Sequence, residues 1–398
     1  MIKQRANSAL FSIADLERKF ELTLGRPRVS AGDSAGLLLA ATNWSAAIWA
    51  AAEIAGPLAL NQNEIARGLE IAHHPIHVCG VHRSGTTLVR DLLDSHPALA
   101  VLPSEGTFFT NYKRQLRRLP QESWQRHFGC DWLRRLANPI HQAPYWLLGR
   151  SSQEASPYLE FARALMAWWP LARDAFGDKA ISWPLTAVAL AYAYHMGGLG
   201  VRADTQFWVE KTPTNEKFID RLQAEFPRAK VIHIVRHPYA VFASHKQAMR
   251  DAGERFSNSA QVLKELKLSY RIAAKQSSLK APNQYHLMRY EELIGGPQTS
   301  IYRLSQFLGI ESLPILMRPT SAGAATPSNS SFFSATEPGR LSQADHQKWR
   351  EVLTKSDCER ISALVGEAAA QVGYESARVA PWRAGLLRIT TPITSRLK

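Results

Sequence analysis

The stretch from Gly80 to Thr87 (GVHRSGTT) places two glycines, a cation and several hydroxyls between a predicted strand and a predicted helix. Such a loop points backbone N–H groups inward, and the helix that follows adds its positive N-terminal end. We therefore expect an anion-binding loop for a phosphate group. The spacing is close to that of the triphosphate loop GxxxxGK[ST], but Thr86 stands where that loop has lysine. This weighs against an ATPase or kinase, and Arg83 supplies a cation instead.

The segment RSGTT, followed by Leu88 and Arg90, resembles the 5′-phosphosulfate loop of sulfotransferases. These enzymes use 3′-phosphoadenosine 5′-phosphosulfate (PAPS). Arginine at the place of Arg83 is typical of the tyrosylprotein sulfotransferases and of many bacterial relatives, while many other members have lysine there. The residues that the resemblance assigns to the donor are Arg83, Ser84, Gly85, Thr86 and Thr87.

Two later segments resemble further parts of the same family. Val231 to Ser244 looks like the second donor-binding segment, in which a strand delivers an arginine and the next helix a serine. Arg236 can grip a terminal phosphate through two parallel hydrogen bonds, with the Ser244 hydroxyl as a second donor. The segment RYEEL resembles the family's RYEDL, whose tyrosine lies near the adenine, so Tyr290 is expected to contact the purine.

The chemistry that the resemblance implies is an in-line displacement, in which catalysis is mostly positioning and charge stabilisation. It requires an acceptor nucleophile, a base for its proton and cations near the leaving phosphate. A sulfuryl group carries less negative charge than a phosphoryl group, so cationic side chains can suffice and no metal is expected. Arg83 can supply one cation. Lys211, in WVEKTP, resembles the lysine of the family's KDP or KTP segment, which contacts the bridging oxygen.

Glu105 is the predicted general base. It follows the second predicted strand and resembles the catalytic glutamate of tyrosylprotein sulfotransferases. It comes 22 residues after Arg83, close to but not identical with the spacing in that branch. Cytosolic sulfotransferases use a histidine, and the alternatives here, ranked below Glu105, are His82 in the loop and His96 before Pro97.

A weaker resemblance covers Ser331 to Trp349. Tyrosylprotein sulfotransferases have a serine followed by SKW, and the serine and lysine touch the donor. Ser334 and Lys348, 14 residues apart, are the nearest match, with Ser334 expected in the catalytic set and Lys348 in the donor site. Ser331 competes with Ser334, and the RKG segment of cytosolic members is absent.

Strands and helices alternate around these motifs. Strands are predicted at 76–79, 99–102, 206–209, 230–235 and 284–288, and helices at 86–95, at 214–226, from 239 and at 299–308. Strands separated by helices predict an α/β fold with a parallel sheet and right-handed crossovers. The resemblance implies the P-loop-like sulfotransferase fold.

The expected organisation is a helical N-terminal extension, 1–75, and a catalytic domain, 76–375. A helical insertion on the acceptor side, 108–205, belongs to that domain, and a basic tail, 376–398, follows it. Two stretches free of charged residues, 35–52 and 180–201, are interpreted as buried helices rather than membrane spans.

The insertion is rich in aromatic and basic residues. One interpretation is an aromatic helical core with a basic solvated face. The other is an acceptor pocket walled by rings, which would suit a phenol, a lipid-linked alcohol or a glycolipid. The aromatic residues concerned are Phe108, Phe109, Tyr112, Trp124, Trp132, Tyr145, Trp146, Tyr158, Trp168 and Trp169.

The net charge of +14 allows an anionic ligand, a nucleic acid or an anionic membrane as partner. Three distant cysteines indicate neither a disulfide scaffold nor a zinc site, and they favour a reducing, cytoplasmic location. After Glu375 the tail has five basic residues, no acidic ones, and interleaved apolar side chains. It is interpreted either as a peripheral membrane contact or as a frayed basic terminus.

The predicted function is therefore transfer of a sulfuryl group from PAPS to the hydroxyl of a phenol, lipid-linked alcohol, glycan or tyrosyl group. The alternatives are a P-loop nucleotide kinase or NTPase, which the missing lysine disfavours, and a basic nucleic-acid-binding protein. No helix-turn-helix, zinc finger or RNP-type segment supports the latter.

Overall fold

A computed structural model of the chain describes residues 31–137, 156–195, 204–251, 253, 255–279, 283–326, 337–341 and 347–390. Within them, five parallel strands form the central sheet. The strands are β1 (Pro75–Cys79), β2 (Leu99–Glu105), β3 (Phe207–Lys211), β4 (Lys230–Val235) and β5 (Tyr285–Arg289). Their spatial order is β2-β3-β1-β4-β5, and every neighbouring pair is parallel, as the alternation of strands and helices predicts.

Helices cover both faces of this sheet. Those up to β3 are α1 (Ala31–Ala55), α2 (Gln62–Ala72), α3 (Thr86–Leu93), α4 (Lys113–Leu116), α5 (Trp124–Ala137), α6 (Ser156–Phe176) and α7 (Trp183–His195). Those after β3 are α8 (Ile219–Glu225), α9 (Pro238–Asp251), α10 (Ser259–Leu279), α11 (Tyr290–Gly295), α12 (Pro297–Leu308), α13 (Trp349–Val352), α14 (Lys355–Ala370) and α15 (Pro381–Thr390).

Shorter elements join them. A π-helical turn, Phe108–Tyr112, precedes α4, and a 3₁₀ turn, Asn215–Phe218, precedes α8. Further 3₁₀ turns are Gln121–Ser123, Gly177–Lys179 and Pro314–Met317, and an antiparallel pair of two-residue strands is formed by β6 (Thr320–Ser321) and β7 (Ala324–Ala325). The helix predicted at 214–226 is thus 3₁₀ in its first turn.

The aromatic segment is a buried core. Trp132 and Trp168 are fully buried, and Phe128 stacks on Tyr112 with ring centroids 4.2 Å apart. Helix α1 packs into the same cluster, where Trp49 is 1% exposed. The rings therefore stabilise the packing of the helices on β2 and β3, as the first of the two interpretations predicts. Tyr145 and Trp146 lie outside the described residues.

Both stretches without charged residues contain the expected helices. Helix α7 is buried on nearly all sides, and apolar residues all round a helix are typical of an element inside a protein core. In the parts of the chain that the structure describes, none of the helices has the length and apolarity needed to span a membrane.

Candidate functional site

Each of the five parallel strands delivers a residue of the predicted site at its carboxyl end. The loop beginning at Gly80 follows β1, Glu105 ends β2, and Lys211 ends β3. Arg236 directly follows β4, and Tyr290 directly follows β5. In an open parallel sheet, ligands bind beside the carboxyl ends of the strands. They bind at the place where the connections from two neighbouring strands leave in opposite directions. The sheet therefore brings together segments that are far apart in the sequence.

These strand ends surround a cavity of about 270 Å³. The predicted residues that line it are Arg83, Gly85, Thr86, Thr87, Glu105, Arg236, Ser244 and Tyr290. The further lining residues are His82, Leu88, Asp91, Pro213, Ile294, Pro319, Thr326 and Arg340. The phosphate-loop, arginine–serine and tyrosine motifs thus share one cavity, as their resemblance to one donor site implies.

Two glycines give the loop after β1 its shape. Gly80 has a φ of +142°, and a Cβ there would lie 2.2 Å from the carbonyl oxygen of Ile234. Gly85 precedes α3 with a φ of +106°, and a Cβ there would lie 2.6 Å from Cδ2 of Tyr290. Because only glycine adopts these conformations at little cost, both positions are fixed by geometry. Arg83, with a φ of +72°, is held in the left-handed region.

Ser84 supports the loop from inside. Its hydroxyl donates to the carbonyl oxygen of Val81 at 2.6 Å, its backbone N–H donates to the same oxygen at 3.0 Å, and the residue is 2% exposed. It therefore shapes the turn, whereas Thr86 and Thr87, at the start of α3, line the cavity. The sequence motif alone does not distinguish these two roles.

Two arginines face the same space. Nη1 of Arg236 donates to the carbonyl oxygen of Arg83 at 3.1 Å, and its guanidinium lies over the Tyr290 ring, 4.3 Å from the centroid. Loss of hydration lowers the pKa of Arg83, and the neighbouring Arg236 charge lowers it further. Among the described residues, none accepts a hydrogen bond from the buried Nε of Arg236. Two mutually repelling cations and an unpaired donor fit a polyanionic ligand.

Glu105 and Lys211 form an ion pair beside this cavity. Nζ of Lys211 lies 2.6 Å from Oε1 of Glu105, and the side chains are 5% and 37% exposed, respectively. Burial lowers the pKa of Lys211, an effect that the Glu105 carboxylate opposes. The carboxylate is therefore the more accessible partner.

A buried carboxylate holds the turn beyond Lys211. Glu210 accepts hydrogen bonds from the Thr212 hydroxyl and the Asn215 amide, both at 2.7 Å, and one of its oxygens lies 2.8 Å from Nδ1 of His77. The Thr212 hydroxyl in turn accepts from the backbone N–H of Thr107 at 2.8 Å. This network ties the end of β3 to the chain that leaves β2 after Glu105.

The structure separates the two alternative bases. His96 lies before β2, at the amino edge of the sheet, and its ring is hydrogen-bonded to Glu311 and Ala98. A strand of seven residues, about 20 Å, separates it from Glu105, so His96 is outside the site. His82 lines the cavity and is the remaining histidine candidate. Loss of hydration lowers its pKa, so its ring is neutral near pH 7.

The residues predicted in the segment from Ser331 to Trp349 do not line the cavity where the structure describes them. Ser334 and its competitor Ser331 lie outside the described residues. Lys348 is described, but it is not among the residues that line the cavity. The next residue, Trp349, stacks on His237 with centroids 5.9 Å apart. From this part of the chain, Arg340 lines the cavity, and its guanidinium forms a 3.0 Å ion pair with Glu337.

Sequence reasoning missed several residues that shape the site. Thr326 is 5% exposed and lines the cavity, and within the described residues its hydroxyl has no hydrogen-bond partner. Glu216 accepts from the Gly80 N–H at 3.1 Å. For Arg340, the sequence offers a local sign in the preceding glycine, Gly339, which takes a φ of +80° in the structure. The other contacts arise from segments distant in sequence and carry no local signature.

A glycine-shaped loop at the carboxyl edge of a parallel sheet, faced by two arginines, is typical of α/β proteins that bind phosphate-containing ligands. The sequence model of the sulfotransferase family matches residues 75–314, which is more than half of the chain. The chain therefore belongs to the sulfotransferase family, a family of transferases. Within the described residues, no group of His, Cys, Asp and Glu side chains is arranged to hold a metal ion.

Individual relatives are similar over shorter regions. The omega-hydroxy-beta-dihydromenaquinone-9 sulfotransferase Stf3 of Mycobacterium tuberculosis is 32% identical over 162 residues, which are 38% of this chain and 41% of that protein. Carbohydrate sulfotransferase 5 of Mus musculus is 28% identical over 167 residues, 37% of this chain and 42% of that protein. The match thus spans about two fifths of each relative.

Two solved structures align with this chain at low sequence identity and with TM-scores below 0.5. The sulfotransferase domain from the curacin biosynthetic pathway is 20% identical, with a TM-score of 0.47, covering 76% of this chain and 98% of that one. Sulfotransferase STF9 from Mycobacterium avium is 14% identical, with a TM-score of 0.42, covering 80% of this chain and 81% of that one.

Proposed function

We propose that this protein transfers the sulfuryl group of PAPS to a hydroxyl group of an acceptor. The observation that carries the proposal is the convergence of the loop, the two arginines and the Glu105–Lys211 pair at one edge of the sheet. Donor binding and proton removal are thereby adjacent, as an in-line displacement requires.

The donor-binding residues divide the polyanion between them. Arg83 and the loop from Gly85 to Thr87 suit the 5′-phosphosulfate, because they combine a cation with the start of α3. Arg236 and Ser244 suit the terminal 3′-phosphate. Tyr290, packed against Gly85, offers a flat face for the adenine.

The transfer forms a bond between the acceptor oxygen and sulfur while the bond from sulfur to the 5′-phosphate oxygen breaks. Glu105 takes the proton of the acceptor hydroxyl. Lys211 has three N–H donors, so it can hold Glu105 and still donate toward the leaving phosphate. On the resemblance of its segment, Ser334 is proposed to belong to the catalytic set. Lys348 was expected in the donor site, but it does not line the cavity.

The acceptor is proposed to be a lipid-linked alcohol or a glycan, in line with the menaquinone and carbohydrate named for the two relatives. A phenol or a tyrosyl group remains an alternative. The rings named in the sequence analysis do not line the cavity where the structure describes them.

We also propose that the protein is cytoplasmic and touches an anionic membrane through α15. Three apolar side chains, Trp382, Leu386 and Ile389, are 68%, 54% and 77% exposed along this helix. Their spacing places them on one face, and the basic residues of the tail suit anionic headgroups.

Calorimetric titration with 3′-phosphoadenosine 5′-phosphate (PAP), with ATP and Mg²⁺, and with an oligonucleotide tests the proposed donor. We expect PAP to bind tightest, and Arg236→Ala to weaken it by about tenfold or more, since a charge-assisted contact is lost. Arg173→Ala, which removes an exposed arginine paired with Asp174, is the matched control and leaves PAP binding unchanged. Tight binding of ATP alone would contradict the proposal.

The acceptor class is tested by transfer of radiolabelled sulfate from PAPS. Polyprenols, hydroxylated quinones, oligosaccharides, simple phenols and tyrosyl peptides are the panel. Labelling of a polyprenol, a hydroxylated quinone or an oligosaccharide supports the proposed class, and labelling of a phenol or a tyrosyl peptide alone contradicts it.

A further inference from the structure

Arg135 of α5 reaches the backbone at the site of the proposed base. Its Nη1 donates to the carbonyl oxygen of Glu105 at 2.7 Å, and its Nη2 donates to the hydroxyl of Thr107 at 3.2 Å. The guanidinium therefore grips the chain on both sides of Gly106, where it leaves β2. In the sequence, Arg135 is one of several arginines in a basic stretch.

The sheet is irregular just before Glu105. The pairing of β2 with β3 shifts register between Val101 and Glu105, so the regular ladder of hydrogen bonds is interrupted just before the base. The irregular part is anchored from α3, where Nη1 of Arg90 donates to the carbonyl oxygen of Pro103 at 2.7 Å. Arg135 supplies the corresponding anchor at Glu105.

Arg135 is itself held in place. Its Nε donates to Oδ2 of Asp131 at 2.7 Å, and the same oxygen accepts from the Tyr112 hydroxyl. Burial disfavours the charged form of Asp131, but its arginine and tyrosine partners outweigh this and hold its pKa below the usual range. The Asp131 carboxylate thus keeps its charge.

Aromatic rings limit the remaining freedom. The Arg135 guanidinium lies 5.1 Å from the centroid of Tyr112 and 5.5 Å from that of Trp132, and the side chain is 17% exposed. A planar guanidinium with five donors can make all these contacts at once, which the ammonium of lysine cannot.

We propose that Arg135, oriented by Asp131, is a positioning residue for Glu105. It fixes the backbone from which the carboxylate projects, so the carboxylate meets the acceptor hydroxyl and Lys211 in one orientation. This inference rests on the proposed role of Glu105 as the base. It also gives the aromatic insertion a part in catalysis beyond packing.

The test compares Arg135→Met, Arg135→Lys and Arg134→Met. Arg134 is the matched control because it also pairs with Asp131, whereas, within the described part of the chain, its side chain makes no hydrogen bond with Glu105. The probe is radiolabelled PAPS with water as the acceptor, so that turnover can be measured before an acceptor is known. We expect Arg135→Met to lower kcat about tenfold or more, with the affinity for PAP unchanged, Arg135→Lys to restore part of the loss, and Arg134→Met to change little.

Thermal unfolding and PAP titration confirm that each variant is folded. If Arg135→Met and Arg134→Met lower kcat equally, Arg135 has no special role and the inference fails. If Arg135→Met fails to fold, Arg135→Lys, which retains the charge but loses the planar fork, carries the comparison: a kcat equal to that of Arg134→Met then overturns the inference.

A double-mutant cycle shows whether Arg135 acts through Glu105. In the Glu105→Gln background, Arg135→Met should cause no further loss, because the group that it positions is gone. A full additional loss there would overturn the inference while leaving the base assignment intact. If Glu105→Gln alone keeps most of the turnover and His82→Asn loses it, the assignment of Glu105 as the base is wrong.

Discussion

At the scale of single residues, one glycine joins two motifs that lie two hundred residues apart. Gly85 ends the anion-binding loop, and Tyr290 begins the segment expected at the adenine. The ring of Tyr290 occupies the space that a Cβ at Gly85 would need, because such a Cβ would lie 2.6 Å from Cδ2 of Tyr290. The loop and the aromatic face of the donor site therefore hold each other in position.

Gly85→Ala tests this contact. The substitution meets both a φ of +106° and the Tyr290 ring, so the loop and the ring must move apart. We expect the affinity for PAP, measured by calorimetry, to fall by about tenfold or more. Gly385→Ala, on α15 with nothing within 4 Å of the added methyl group, is the control. Equal affinities in the two variants would show that the contact is unimportant.

At the scale of elements, the loop after β1 rests on the 3₁₀ turn that precedes α8. Glu216 of this turn is 2% exposed and accepts from the Gly80 N–H. Burial raises its pKa from 4.5 to about 7, although hydrogen bonds from Ser269 and Gly80 favour the charged form. An acid with a raised pKa binds more protons in the folded state than in the unfolded state.

The contribution of Glu216 to the free energy of unfolding should therefore decrease as the pH rises from about 5 to about 7, and Glu216→Gln should remove that contribution. A rise of the pKa from 4.5 to about 7 makes the Glu216 contribution to the free energy of unfolding about 3 kcal/mol smaller at pH 8 than at pH 4.5. Urea unfolding of both proteins across this range measures the difference. Parallel pH curves for the two proteins would contradict a raised pKa at Glu216.

The sequence predicted the elements well where the hydrophobic pattern was local. All five strands lie at the predicted places, because a short β-branched run bounded by turn residues favours a strand in any context. The first turn of the predicted helix at 214–226 is 3₁₀ instead. Thr214 has a φ of +67°, and the side-chain amide of the next residue, Asn215, donates a hydrogen bond to Glu210. Tertiary contacts override helix propensity there.

At the scale of the whole molecule, the excess of positive charge has several locations. Arg83 and Arg236 line the proposed donor site, and Lys211 lies beside it. Arg378, Arg383 and Arg388 form another group on or next to α15. That helix packs on α14 through an ion pair of Arg383 with Glu359 and a hydrogen bond from Arg388 to Ala363, 2.7 and 3.0 Å long. Docked in this way, α15 presents its apolar side chains to solvent.

Liposome flotation tests the proposed membrane contact of α15. We expect the full chain to float with vesicles containing anionic lipid and to be released by high salt. Trp382→Ala combined with Ile389→Ala should reduce the bound fraction about tenfold, since the apolar face is lost. Leu279→Ala, at a residue of similar exposure on α10, is the control. Equal recovery of the double variant and the control would reject the membrane contact.

The sequence by itself determined the loop after β1, the strands, and the order in which the donor motifs follow them. These features depend on neighbouring residues, whose pattern fixes turn, strand or helix. The tertiary structure decided the 2.6 Å pairing of Lys211 with Glu105, the placement of Arg340 rather than Lys348 at the cavity, and the grip of Arg135 on β2. Such contacts join residues far apart in the chain, and they exist only once the helices have packed on the sheet.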